Sequence, residues 1–193
     1  MELGLKGKVV LCMHSASGLG KGIATEMARE GAKVMMCVPE RYKERLYAAR
    51  DEIAEITGNR PEVFFCDMTR AEEITALVEH TVNTLGDIYA LVNMGPGPEA
   101  GPFSDFDDAG WQKAFELCLL SYIRTIRACI PSMKRLGGGR IINSTSSSSD
   151  CAIKRFIIVA APSIELSYFS ICVQKVLRVM GVPYENAAGA PLA

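Results

Sequence analysis

The stretch Lys8–Ile23, KVVLCMHSASGLGKGI, constrains the fold more than any other part of the chain. It runs as a short apolar strand, a turn of small residues with two close glycines, and a helix start. A strand that feeds a glycine turn into a helix aims backbone N–H groups and the positive helix end at one point. Such a point suits a phosphate or pyrophosphate, and glycine permits the close backbone approach or the φ that this requires. A nucleotide cofactor is therefore expected near the N-terminus. His14 stands where a turn of this kind would carry its first glycine.

The remaining pattern places this turn in a larger sheet. Strands are expected at Lys8–Met13, Ala32–Val38, Glu62–Cys66, Ile88–Asn93 and Arg140–Thr145, each apolar for most of its length. Amphipathic helices are expected between them, over Gly18–Arg29, Glu40–Thr57, a stretch opened by a Thr69/Glu72 capping box, and one long helix Asp107–Leu136. Buried apolar strands alternating with helices imply a parallel sheet covered on both faces. Right-handed crossovers then give a doubly wound, Rossmann-type α/β fold with strand order 3-2-1-4-5. Ligands in such sheets bind at the strands' carboxyl ends, where the turn after strand one and the loop Met94–Pro102 both fall. The serine tract Ser144–Ser149 follows strand five directly and belongs to the same end. After Ile153 the pattern blurs. Ser163–Met180 is roughly in helical phase, and Gly181–Ala193 reads as coil.

Composition narrows the partners. The 193 residues suit one domain, 1–193, with a sizeable core. A net charge of −1 gives no electrostatic pull toward nucleic acid or an anionic membrane. Neither a secretory h-region nor a bilayer-length apolar run is present in the sequence. The seven cysteines are odd in number, contain no CxxC pair and mostly sit in apolar runs. They are expected to be reduced core thiols of a cytoplasmic protein rather than a disulfide or zinc framework, so no metal is expected.

Ser17-Gly18-Leu19-Gly20, Cys66-Asp67-Met68-Thr69, Leu91-Val92-Asn93 and Gly139–Asn143, taken together, resemble the short-chain dehydrogenase/reductase family, and within it the 3-oxoacyl-acyl-carrier-protein reductase-like members. Ser17-Gly18-Leu19-Gly20 is similar to the second half of the family's TGxxxGxG turn, and Cys66-Asp67-Met68-Thr69 to the element whose aspartate holds adenine. Leu91-Val92-Asn93 resembles the NNAG segment, and Gly139–Asn143 the strand that leads to the catalytic serine. The resemblance spans residues 5–158, leaving 159–193 as a divergent tail. It implies cofactor contacts by Ser15, Ser17, Gly18, Leu19, Gly20, Asp67, Met68, Asn93 and Gly95. It also implies hydride transfer between a nicotinamide and a carbonyl, a small-molecule or acyl-thioester substrate, and a homo-oligomer, dimer or tetramer. NADP(H) is favoured over NAD(H), because Val38 and Pro39 replace the strand-two carboxylate and Arg41, Lys43 and Arg45 follow. The same three cations also suit a solvated first helical turn.

The family's catalytic set is only partly present. The serine falls on Ser146, but the tyrosine falls on Val159, the lysine on Ser163 and the helix asparagine on Cys118. Valine carries no transferable proton, and serine carries no charge to lower a phenol's pKa. Tyr168 and Lys175 are the available substitutes, seven residues apart rather than four. The family's last two strands and substrate lid are not recognisable after Ile158, so a C-terminus that is truncated or divergent is expected, a changed reading frame or splice junction near Ile158 being one explanation. Three readings stay open: a working reductase with an unfamiliar proton donor, an inactive cofactor-binding relative, and an altered product without activity.

Overall fold

A computed structural model describes residues 3–97, 99 and 105–144. Five short strands form its centre: β1 (Val9–Cys12), β2 (Lys33–Val38), β3 (Glu62–Phe65), β4 (Ile88–Asn93) and β5 (Arg140–Asn143). All neighbours run parallel, in the order β3-β2-β1-β4-β5. The expected 3-2-1-4-5 topology is therefore present. Four of the five strands are a residue or two shorter than the apolar runs that announce them.

Alternation along these strands divides the core between two faces. Leu11, Met35, Leu91 and Ile141 point to the side covered by α3 (Ala71–Leu85) and α5 (Ser121–Arg135), where they meet Leu77, Ile126 and Met133. Val10, Val34, Met36 and Val92 point to the side covered by α1 (Gly18–Arg29) and α2 (Lys43–Thr57), where Ala24, Ala28, Leu46 and Ile53 complete the layer. The small alanines let α1 lie close to the sheet. Cys12, Cys37, Cys66 and Cys129 are buried free thiols, and burial pushes the Cys12, Cys37 and Cys129 thiols up to about 12. Cys151 and Cys172 lie outside the described residues.

Three helical expectations need correction. Glu40–Thr57 is not one helix: Glu40–Tyr42 forms a 3-10 turn after Pro39, and α2 starts at Lys43. The Thr69/Glu72 capping box does not form, because α3 starts at Ala71 and Arg70 is its N-cap. The Thr69 hydroxyl donates to Asp67 instead, at 2.8 Å, and Glu73 reaches back to the Asp67 N–H at 2.8 Å. The long helix Asp107–Leu136 is interrupted. Asp107 caps α4 (Asp108–Phe115), Glu116–Leu120 make one π turn, and α5 follows. The suggested helix Ser163–Met180 and the tail Gly181–Ala193 lie outside the described residues.

Candidate nucleotide-binding site

The site gathers at the carboxyl ends of β1 to β5. Met13 leaves β1 with its N–H still bonded to the Val92 carbonyl at 2.9 Å. His14 then turns the chain with φ 47, a left-handed value that histidine tolerates better than most residues. Ser15 is fully buried. Its hydroxyl donates to the Cys12 carbonyl at 2.8 Å and accepts the Cys37 N–H at 3.3 Å, so it ties β1 to β2. Ser17 is extended and exposed, and its side chain caps nothing.

Two glycines then open the helix, for different reasons. Gly18 has φ +54, which a Cβ would strain. Gly20 is α-helical, but a Cβ there would stand 2.6 Å from the His14 carbonyl oxygen. The first N–H groups of α1 consequently face outward over exposed Ser17, Gly18 and Leu19, and no acidic side chain occupies the first turn. This cradle fits a pyrophosphate: it offers unpaired donors, the positive helix end and no repelling carboxylate.

Beyond β3, Asp67 accepts from the Thr69 N–H at 3.0 Å and its hydroxyl at 2.8 Å. Partial burial raises the carboxyl, but the Thr69 bonds and the nearby Arg41 and Arg70 charges outweigh it and leave the group below its ordinary range. Arg124 of α5 holds the same loop through the Thr69 carbonyl at 2.9 Å, and its guanidinium also pairs with Glu116 in the π turn. At the end of β4, Asn93 is fully buried. Its Nδ2 donates to Asn143 at 2.9 Å and its Oδ1 accepts from Thr125 at 2.6 Å. These bonds follow from register, since Asn93 pairs with Asn143 across β4 and β5. Gly95 packs near this end: an added Cβ would meet the Met68 sulfur at 3.4 Å and the Tyr122 ring at 3.5 Å, in ordinary van der Waals contact. The Tyr122 hydroxyl donates to the Ser144 carbonyl at 3.4 Å, and burial raises its pKa well above the usual phenol value.

The structure thus brings Ser17, Gly18, Leu19 and Gly20 to one rim with Asp67, Met68, Asn93 and Gly95. It commits the side chains of Ser15 and Asn93 to the scaffold. Cys118 lies half-buried in the π turn, with its thiol pushed up to about 11 by burial. Ser146, Val159, Ser163, Tyr168 and Lys175 lie outside the described residues. Tyr42, Tyr122 and Arg124 are site-side residues that motif reasoning passes over: Tyr122 reads only as part of the long helix's apolar face, and Tyr42 and Arg124 belong to no spaced pattern. A separate groove of about 400 Å³ between α3 and α5 ends where Ser132 and Arg135 meet Asp87 near the start of β4.

The short chain dehydrogenase model matches residues 8–163. The chain belongs to the short-chain dehydrogenase/reductase family. An uncharacterized oxidoreductase of Bacillus subtilis is 35% identical over 146 residues, covering 76% of this chain and 54% of that protein. The 7alpha-hydroxysteroid dehydrogenase of Escherichia coli K12 is 31% identical over 149 residues, covering 77% and 57%. This short-chain dehydrogenase/reductase chain thus aligns with little more than half the length of these relatives. Among solved structures, L-sorbose reductase from Gluconobacter frateurii, complexed with NADPH and L-sorbose, superposes with a TM-score of 0.89 at 26% identity, over 96% of this chain and 70% of that one. A 7alpha-hydroxysteroid dehydrogenase complexed with NADH and 7-oxo glycochenodeoxycholic acid gives a TM-score of 0.87 at 26% identity, over 94% and 70%. The family match extends five residues past Ile158, where the resemblance was expected to stop.

Proposed function

We propose that this chain is a nicotinamide-dinucleotide oxidoreductase that favours NADP(H) and reduces a carbonyl, with a 3-oxoacyl thioester as the substrate class. The observation that carries the reading is the β1–α1 turn, with Gly18 at φ +54, Gly20 pressed against the His14 carbonyl, and exposed donors without a neighbouring acid. Bound there, the cofactor would supply the hydride. The chain's own residues do the rest. The α1 N-terminus and Ser17 hold the pyrophosphate, Asp67 and Met68 flank the adenine, and Asn93 fixes the β4 end through Thr125 and Asn143. Arg41 and Arg45 beside this rim, with Val38 in place of a carboxylate, support the phosphorylated cofactor. Relatives and neighbours that act on hydroxysteroids, hydroxybutyrate and sorbose leave the 3-oxoacyl class resting on the motif resemblance alone. Ser146 is the residue proposed to orient the carbonyl oxygen, with Tyr168 and Lys175 as the substitute proton donor and charge. A homo-oligomer is proposed on the same resemblance.

A second reading has a specific observation behind it. Cys118 occupies the π turn where the family carries its asparagine, and Val159 and Ser163 replace the tyrosine and lysine. In that reading the chain binds the dinucleotide without turning it over and serves as a sensor or an oligomer partner. Calorimetric titration with NADPH and NADH, followed by NADPH oxidation with 3-oxoacyl thioesters and small ketones, separates the two. Turnover above the buffer rate supports the reductase, binding without turnover supports the silent relative, and binding of neither nucleotide removes both.

A further inference from the structure

One phenol ring gathers three basic side chains. The His14 imidazole meets the Tyr42 ring edge-on, with centroids 6.2 Å apart and planes at 87°. The Arg41 guanidinium lies 4.8 Å from the same centroid and that of Arg45 lies 5.7 Å away. His14 comes from the end of β1, Arg41 and Tyr42 from the 3-10 turn after β2, and Arg45 from the first turn of α2.

Asp67 faces the group from beyond β3, with one carboxylate oxygen 3.9 Å from Arg41 and the other accepting from Thr69. The buried Cys37 thiol of β2 lies against the His14 main chain and stays protonated. No described carboxylate pairs with Arg45. Burial first, and then the Arg41 and Arg45 charges, hold the His14 imidazole below its ordinary pKa. A glycine would satisfy φ 47 without strain, whereas the histidine holds it at a backbone cost.

We propose that His14 is a specificity-determining residue, which joins Arg41 and Arg45 in holding a phosphate carried on the adenosine ribose, with Tyr42 as the shared platform. This rests on the reading of the adjoining turn as a dinucleotide site. The imidazole is uncharged in the empty corner near neutral pH. A phosphate dianion among the three groups draws a proton onto it, and imidazolium, guanidinium and phosphate then form charge-assisted hydrogen bonds. An unphosphorylated ribose offers no such charge and leaves the imidazole neutral.

The test is isothermal titration of the full chain with NADPH and with NADH, in buffers of different ionisation enthalpy, for the wild type, His14→Gly and His14→Asn. Glycine and asparagine both accept the left-handed backbone, so both variants are expected to fold. Because the variants bind the same phosphate, its own titration cancels in each comparison. The wild type is expected to bind NADPH roughly fivefold more tightly than either variant near pH 6 and about equally near pH 8. Proton uptake with NADPH is expected to be greater for the wild type than for the variants, and NADH affinity to be alike in all three. A wild-type advantage that is independent of pH, that is shared by NADH, or that asparagine restores would overturn the role of the imidazole while the dinucleotide reading stands. Failure of the wild type to bind either nucleotide would overturn that reading, and this proposal with it.

Discussion

Gly20 and Asn93 show how single residues set this site. At Gly20 the obstacle to a side chain is a backbone carbonyl, which has no rotamer to escape into. Gly20→Ala is expected to lower stability by about 1–3 kcal/mol and to weaken dinucleotide binding at least tenfold, read by denaturant melts and titration. Asn93 presents a different cost. Replacing it with alanine removes the shortest acceptor of the buried Thr125 hydroxyl, which keeps only its carbonyl acceptors within α5, and the donor to the half-buried Asn143 amide oxygen. That is expected to cost about 1–3 kcal/mol in chemical denaturation. Asp67 adds a pH dependence. Its folded-state pKa is depressed, so its contribution to stability is present above the unfolded carboxylate value of about 3.9 and is lost as pH falls through the lower folded value. Asp67→Asn should flatten the stability profile in that acid window and leave its slope near neutrality unchanged. The glycine spacing and the asparagine after strand four were both legible in the sequence. His14 stood out as the residue in the first-glycine position, but its Tyr42 partner was not legible, because that contact joins residues beyond the ends of two strands that no local period connects.

At the scale of elements, the strands and α1 could be read from apolar runs, since a strand buried on both faces needs little more than continuous hydrophobicity. The helix starts were harder to read. Thr69 has the right spacing to Glu72 for a capping box, yet Asp67 sits closer to its hydroxyl and captures it. The π turn at Glu116–Leu120 was hidden for a related reason, because one added residue only widens a spacing that still looks helical. That turn and the Asp67–Arg70 loop share Arg124, which bonds the Thr69 carbonyl and pairs with Glu116. Arg124→Met should therefore loosen an element it does not belong to. Amide hydrogen exchange is expected to accelerate over Met68–Arg70 with little change in the core of α5, and stability to fall by about 1–2 kcal/mol. Equal exchange rates in that loop for both proteins would show that its order comes from the Asp67 and Glu73 bonds alone.

At the scale of the whole molecule, the two core layers share one sheet, so neither can be lost alone. Leu91 and Val92 are adjacent in β4 and serve opposite faces. The proposed dinucleotide rim is built from the ends of these same strands, which would couple ligand occupancy to global unfolding by mass action. Free NADPH at a hundredfold excess over its dissociation constant adds about 2.7 kcal/mol to the folded state when the unfolded chain does not bind it. For a domain of this size that corresponds to a rise in Tm of about 5–10 °C, measured by circular dichroism. NADH at the same concentration is expected to give a smaller rise, by the margin that Arg41, Arg45 and His14 supply. The shift should grow with the logarithm of nucleotide concentration, which distinguishes binding at a defined site from a general salt effect. A melt that does not move with either nucleotide would mean that the Gly18–Gly20 cradle, although correctly shaped, is not used.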